Sequence, residues 1–271
     1  MPELKMTFLV LALLPAVSLS QTPKLTWQEI VAKHLESIGP AEARAAVQSR
    51  SAEGTAQFQE IVFATVKLSG TAELLSQGRK TKTALRFGQA QYPGEQFVFD
   101  GKASQIATTE PGARSLLGNF LFGQNEILSE GLLGGTLVTS WPLLDLKDRQ
   151  AKLKYEGLKK IQGRDLYELT YTPKKRAGHG DLLIRLYFEP ETFRHVRTVY
   201  RLILRQAQGD IREGTEETTE YLEERFDDFA VADGLTLPRH WELRYQKEPS
   251  TQPQELQWDI RIRAVKHNVL Q

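Results

Sequence analysis

The stretch Leu182-Leu183-Ile184-Arg185-Leu186-Tyr187-Phe188, the turn Glu189-Pro190-Glu191-Thr192, and the return through Val196-Arg197-Thr198-Val199-Tyr200-Arg201-Leu202-Ile203-Leu204-Arg205 decide the fold. Leu182, Ile184, Leu186 and Phe188 share one face of an extended chain. Val196, Thr198, Tyr200, Leu202 and Leu204 share a face of the next, with Arg197, Arg201 and Arg205 opposite. Period-two alternation across a short polar turn is the pattern of an antiparallel hairpin with one dry and one wet face.

The same grammar extends in both directions. Two long runs flank Asp233-Gly234, and the last segment alternates most cleanly, Trp258, Ile260 and Ile262 against Asp259, Arg261 and Arg263. Upstream, Leu153 and Tyr155 lead through Gln162-Gly163 into Tyr167, Leu169 and Tyr171. From Ser49 the period is again two, with strands predicted at about 50–59, 61–69, 71–77, 80–88, 95–100 and 103–108. Turns are expected at Gln77-Gly78, Tyr92-Pro93-Gly94 and Asp100-Gly101. The expected class is α+β and mostly β: one large curved antiparallel sheet, an unclosed β-barrel of about ten or eleven strands, because twisted sheets of that size curl.

Two segments break the strand pattern. Thr26 followed by Glu29 is a capping box, and Trp27, Ile30, Val31, Leu35 and Ile38 form a helical stripe that includes His34. Gly39 and Pro40 end that helix, and Pro40 opens a second short one over Ala41 to Val47. A histidine on such a stripe is read as packed rather than ligating. The second break, about 112–146, holds Leu116, Leu117, Phe120, Leu121, Phe122, Ile127, Leu128, Leu132, Leu133 and Trp141, punctuated by Gly118, Gly123, Gly131, Gly134 and Gly135. It is too broken to span a membrane and too apolar for a solvated loop, so short helices there are expected to cover the concave face of the sheet.

The chain has 271 residues with Lys+Arg 35 against Asp+Glu 34. That balance argues against nucleic acid as a partner. Cysteine is absent, which excludes thiol catalysis, Cys-based metal sites, disulfides and a Cys-linked lipid anchor. At the N-terminus, Lys5 precedes the apolar run Met6 to Leu14, then Pro15 and small residues. These are the parts of a secretory signal peptide, with Ser18 and Ser20 placed for cleavage before Gln21, and cleavage after Ser18 as the next choice. A membrane anchor is the competing reading, but a span needs about 20 apolar residues. The expected organisation is a removed signal over 1–20 and a single domain over 21–271, soluble outside the cytoplasm.

Catalytic signatures are sparse. His34, His179, His195, His240 and His267 are scattered, with no pair spaced for joint metal ligation on one helix. No G-x-S-x-G elbow, P-loop or G-x-G-x-x-G occurs. The acidic run Glu213 to Glu224 and Asp227-Asp228 read as a solvated strand facing basic neighbours, and Lys174-Lys175-Arg176 as a polar turn. No catalytic residue, metal or cofactor is assigned.

Three stretches resemble a known family. They are His34-Leu35-Glu36-Ser37-Ile38-Gly39, the hairpin from Tyr155-Glu156-Gly157 through Gly163-Arg164-Asp165-Leu166-Tyr167-Glu168-Leu169 with Leu186 to Thr192 after it, and Phe226-Asp227-Asp228-Phe229 with Asp233-Gly234-Leu235-Thr236-Leu237-Pro238. With the signal, the N-terminal helix and the mid-sheet apolar insertion, they resemble the LolA-like periplasmic lipoprotein-sorting and lipid-carrier superfamily over most of residues 25–266. That resemblance implies an unclosed β-barrel, a periplasmic location, a monomer, a lipid or the acyl chain of a lipoprotein as ligand, and partner proteins at the inner and outer membranes.

The residues leave two main functions open. In one, the concave face and the 112–146 segment enclose an apolar cavity for a lipid or acylated ligand, with Leu116, Leu117, Phe120, Leu121, Phe122, Ile127, Leu128, Leu132, Leu133 and Trp141 as its wall. In the other, the same side chains fill the barrel as core and the protein is an envelope interaction or stress-sensing module. An extracytoplasmic hydrolase is a third reading.

Overall fold

A computed structural model describes residues 25–61, 65–110, 112–176, 178–206, 216–248 and 255–269. The expected signal peptide, most of the loop beyond Arg205 and the start of the acidic run lie outside these residues. The chain opens with helices α1 (Trp27–Ile38) and α2 (Ala41–Ala46), followed by strands β1 (Ser49–Ile61), β2 (Thr65–Gln77), β3 (Lys80–Gln89), β4 (Tyr92–Phe99) and β5 (Ser104–Thr108). A segment of short helices follows, α3 (Leu116–Gly123), α4 (Glu126–Ser129) and α5 (Leu146–Arg149), with single 3₁₀ turns at Gly135–Leu137 and Pro142–Leu144. Seven strands complete the chain: β6 (Lys152–Ile161), β7 (Arg164–Thr172), β8 (Asp181–Phe188), β9 (His195–Gln206), β10 (Glu216–Ala232), β11 (Leu235–Glu248) and β12 (Glu255–His267).

All twelve strands form one antiparallel sheet in the order β5-β4-β3-β2-β1-β12-β11-β10-β9-β8-β7-β6. Every consecutive pair is an antiparallel neighbour except β5 and β6, which are left as the free edges, and β1 joins β12 to complete the order. The sheet is therefore an unclosed barrel, and its two edges are the ones connected by the helical segment 112–149. That connection is the longest in the sheet, and it folds back over the concave face instead of continuing the meander.

The inward parity read from the sequence holds along most strands. Trp258, Ile260 and Ile262 are buried, as are Leu182, Ile184, Leu186 and Phe188. Phe58 and Trp258 pair directly across β1 and β12, with ring centroids 5.4 Å apart, and Tyr92 stacks on Phe58 at 4.1 Å. Removing such a side chain from water contributes about 1.5–3 kcal/mol. Outward residues of β10 pair with neighbouring strands: Arg197 with Glu223 at 3.0 Å, and Arg225 with Glu242 at 3.7 Å. The α1 capping box is formed, with Glu29 accepting the Thr26 N–H at 2.7 Å.

Three local expectations are corrected. The strands predicted at 61–69 and 71–77 are one strand, β2. Gly70 punctuates it because a Cβ there would lie 2.0 Å from the Arg86 carbonyl oxygen, so the residue marks a close backbone approach and not a turn. Tyr92-Pro93-Gly94 is the start of β4, opposite a register shift in β3, and the turn falls just before it. Gly94 sits at φ +126° with Leu85 O against its α-carbon, the position of a bulge. The sheet has twelve strands against the ten or eleven expected.

Candidate functional site

The segment 112–149 is the filling of the half-barrel. Ser115 caps α3 by accepting the Gly118 N–H at 2.9 Å. Leu117 and Leu121 are fully buried, and Phe120 meets Tyr245 edge to face at 5.9 Å. Ile127, Leu128, Leu132 and Leu133 are buried in the same core, and Trp141 is completely enclosed. Leu116 is half-buried. Phe122 points out: it is 56% exposed, with the Arg114 guanidinium 4.0 Å above its ring. The candidate wall residues thus divide into a packed group and one surface residue.

Polar hooks hold this segment to the sheet. Glu224 is fully buried and accepts three hydrogen bonds, from the Gly134 N–H at 2.8 Å, the Tyr200 hydroxyl at 2.7 Å and the Trp241 indole N–H at 2.9 Å. Burial outweighs these donors and pushes its carboxyl up to about 7. Two residues beyond Gly134, the Thr136 carbonyl accepts from Arg50 of β1. Arg50 is 4% exposed, and burial lowers its guanidinium to about 10. Its Nε donates to His267 Nε2 at 3.0 Å, and His267 Nδ1 meets Asp233 at 2.9 Å, so His267 carries its proton on Nδ1. Thr139 adds a third hook, its N–H donating to Ser76 Oγ at 2.9 Å.

A histidine pair backs the filling. The Trp141 indole donates to His34 Nε2 at 3.0 Å, and His34 Nδ1 donates to the Phe193 carbonyl at 3.1 Å. The His195 ring lies 4.5 Å from Trp141, with Nε2 bonded to Thr198 Oγ1 at 2.9 Å. Burial lowers His34 to about 4 and holds His195 well below the usual imidazole range. Both rings are neutral and closed off from solvent. His34 is the packed residue the helical stripe predicts.

Neither Glu224 nor Arg50 was singled out from the sequence, although parity marks both. Leu222, Glu224 and Phe226 alternate inward on β10, as Arg50, Ala52, Ala56 and Phe58 do on β1. His195 is different. Phe188 faces His195 across a register shift, which turns His195 inward and sends Val196 into a small cluster with Leu166 and Tyr187.

Two open cavities flank the filling. One, of about 310 Å³, lies among α1, α2, the start of β11 and the loop 136–144, with Ile38, Val47, Trp141, Leu144 and Leu235 as apolar wall and Arg44 and Arg50 as cations. The other, of about 320 Å³, is bounded by Leu116, Phe120, Leu202, Leu204 and Tyr245, with Glu220 and Lys247 at its rim. Leu235 and Tyr245 lie near opposite ends of β11, roughly 30 Å apart by the rise of an extended strand. The packed part of the filling sits between these mouths. Among the described residues no group of three or more His, Asp or Glu is placed to hold a metal ion, and no helix is long and apolar enough to cross a membrane.

No family model matches the chain, and no curated protein matches it. Among solved structures, the chain is similar to a LolA superfamily protein of Nitrosomonas europaea, at 13% identity and a TM-score of 0.46, over 91% of this chain and 96% of the other. A domain of Vibrio parahaemolyticus named for outer-membrane lipoprotein sorting is similar at 11% identity and a TM-score of 0.45, over 89% and 93%. A DUF1329 family protein of Desulfovibrio piger follows at 11% and 0.40, again over 89% and 93%.

Proposed function

We propose that this chain is a periplasmic, non-catalytic carrier that holds a lipid or acylated ligand in the groove of its half-barrel, with the segment 112–149 as a displaceable filling. The observation that carries the reading is the arrangement of two open, largely apolar cavities at either end of a filling that is hooked to the walls at discrete points. An empty apolar groove of this size would forfeit close packing. The filling supplies that packing at rest, and an acyl chain regains about 0.8 kcal/mol per buried CH₂ when it takes the filling's place. Exchange of one for the other is then close to balanced, as reversible loading and release require. Membrane proteins on either side would load and unload it.

The near-complete burial of Leu117, Leu121, Ile127, Leu132 and Trp141 favours a second reading, in which the filling is permanent core and the protein reads a protein partner. Native mass spectrometry of the protein purified from an envelope fraction without detergent separates the two. The carrier reading expects a bound lipid or acylated peptide that is lost on organic extraction. A bare polypeptide mass, with no later uptake of a fluorescent fatty acid, contradicts it and favours the permanent core.

A further inference from the structure

Arg50 is a buried cation without a countercharge. Its two hydrogen bonds go to a carbonyl and a neutral imidazole, and they use two of the five N–H donors of a guanidinium. Arg149, the other buried arginine among the described residues, is paired with Asp145, which is the ordinary arrangement for a charge taken out of water. Arg44 reaches the same cavity from α2, with its Nε on the Gly39 carbonyl at 3.0 Å. No carboxylate among the described residues forms an ion pair with either. Besides Thr136 and Thr139, the remainder of the cavity lining is apolar, including Trp141, Leu144 and Leu235. The composition is that of an amphiphile site, with two planar cations where a head would sit and aliphatic and aromatic walls behind them.

We infer that this cavity binds the oxyanion head of a single-chain amphiphile, a carboxylate or a phosphate on an alkyl chain, with the head between Arg44 and Arg50 and the chain along Trp141, Leu144 and Leu235. The inference rests on the carrier reading and names the class of ligand. A guanidinium offers parallel N–H donors that match either oxyanion, and charge-assisted bonds of this kind are roughly twice as strong as neutral ones. The incoming anion supplies the charge that Arg50 lacks. Because Arg50 also holds the Thr136 carbonyl, an anion bound there competes directly for the group that hooks the filling.

Calorimetry of the full protein with dodecanoate, dodecyl phosphate, dodecanol and inorganic phosphate tests the inference. Wild-type protein is expected to bind at least one of the two anionic amphiphiles about tenfold more tightly than dodecanol, a margin one charge-assisted bond accounts for. The tighter of the two identifies the head. Arg44→Gln is expected to erase most of the margin while dodecanol binding stays, and Arg44→Lys to restore part of it. Equal binding of the anionic and neutral chains by wild type overturns the inference and leaves the carrier reading standing. So does inorganic phosphate binding as tightly as dodecyl phosphate. Failure of every chain to bind overturns both.

Discussion

The carboxylate of Glu224 on β10 accepts the backbone N–H of Gly134, at 2.8 Å, in the middle of the filling. A buried acid thus holds a main-chain atom of the segment, and two residues on a buried base, Arg50 of β1, holds another. The turn between them is gripped by a buried acid and a buried base, groups that are otherwise costly to bury.

Glu224 sets one pH window. Its folded value of about 7 stands above the ordinary 4.5, so the folded protein holds a proton that the unfolded chain releases between those values. The stability it contributes is complete below pH 4.5 and is lost as pH rises through 7, by roughly 3 kcal/mol. Glu224→Gln keeps an oxygen for Gly134 and Trp241 and turns its amide to Tyr200. It is expected to melt no lower than wild type at pH 8 and to lack this slope. Parallel melting curves for the two proteins from pH 4.5 to 8 would show that Glu224 is not the titrating group.

The histidine pair works in the opposite sense. His34 is depressed from 6.5 to about 4, and His195 is lowered in the same direction. Their neutral forms contribute stability above pH 6.5 that drains away as pH falls toward 4. In the Glu224→Gln background this loss stands alone, so thermal melts from pH 7 to 4 are expected to fall steadily. Adding His34→Asn should flatten that fall. An unchanged slope assigns the acid sensitivity elsewhere.

The seam between the first and last strands depends on Trp258. It is fully buried against Phe58, and its indole donates to the Tyr92 hydroxyl at 2.8 Å. Trp258→Ala is expected to cost about 3–5 kcal/mol in a denaturant melt. A change within error would place this face of β12 outside the core.

How far the sequence foretells the structure depends on parity. Trp258, Ile260 and Ile262 announce their face because charged residues separate them. Glu224 obeys the same parity, but its acidic neighbours hide it, and composition alone reads the run as solvated. His195 is beyond such reading, because a register shift next to Phe188 reverses its side. Gly70 falls between two predicted strands and Gly94 in an expected turn, yet each serves a close approach of strands, which only the facing residue reveals. In the filling, apolar composition foretells burial for Leu117 and Trp141. Nothing local separates Phe120 from Phe122, two residues on, which the short α3 turns to solvent beside Arg114.

Carriage in the groove requires that the filling leave its seat when ligand arrives. Thr139 N–H lies 2.9 Å from Ser76 Oγ, and the chain has no cysteine of its own, so a Ser76→Cys, Thr139→Cys pair places one disulfide between filling and sheet. Uptake of a fluorescent fatty acid by this variant, oxidised and then reduced, is the most direct measurement. The oxidised protein is expected to take up no ligand, and reduction to restore uptake. Equal uptake in both states would contradict a displaceable filling.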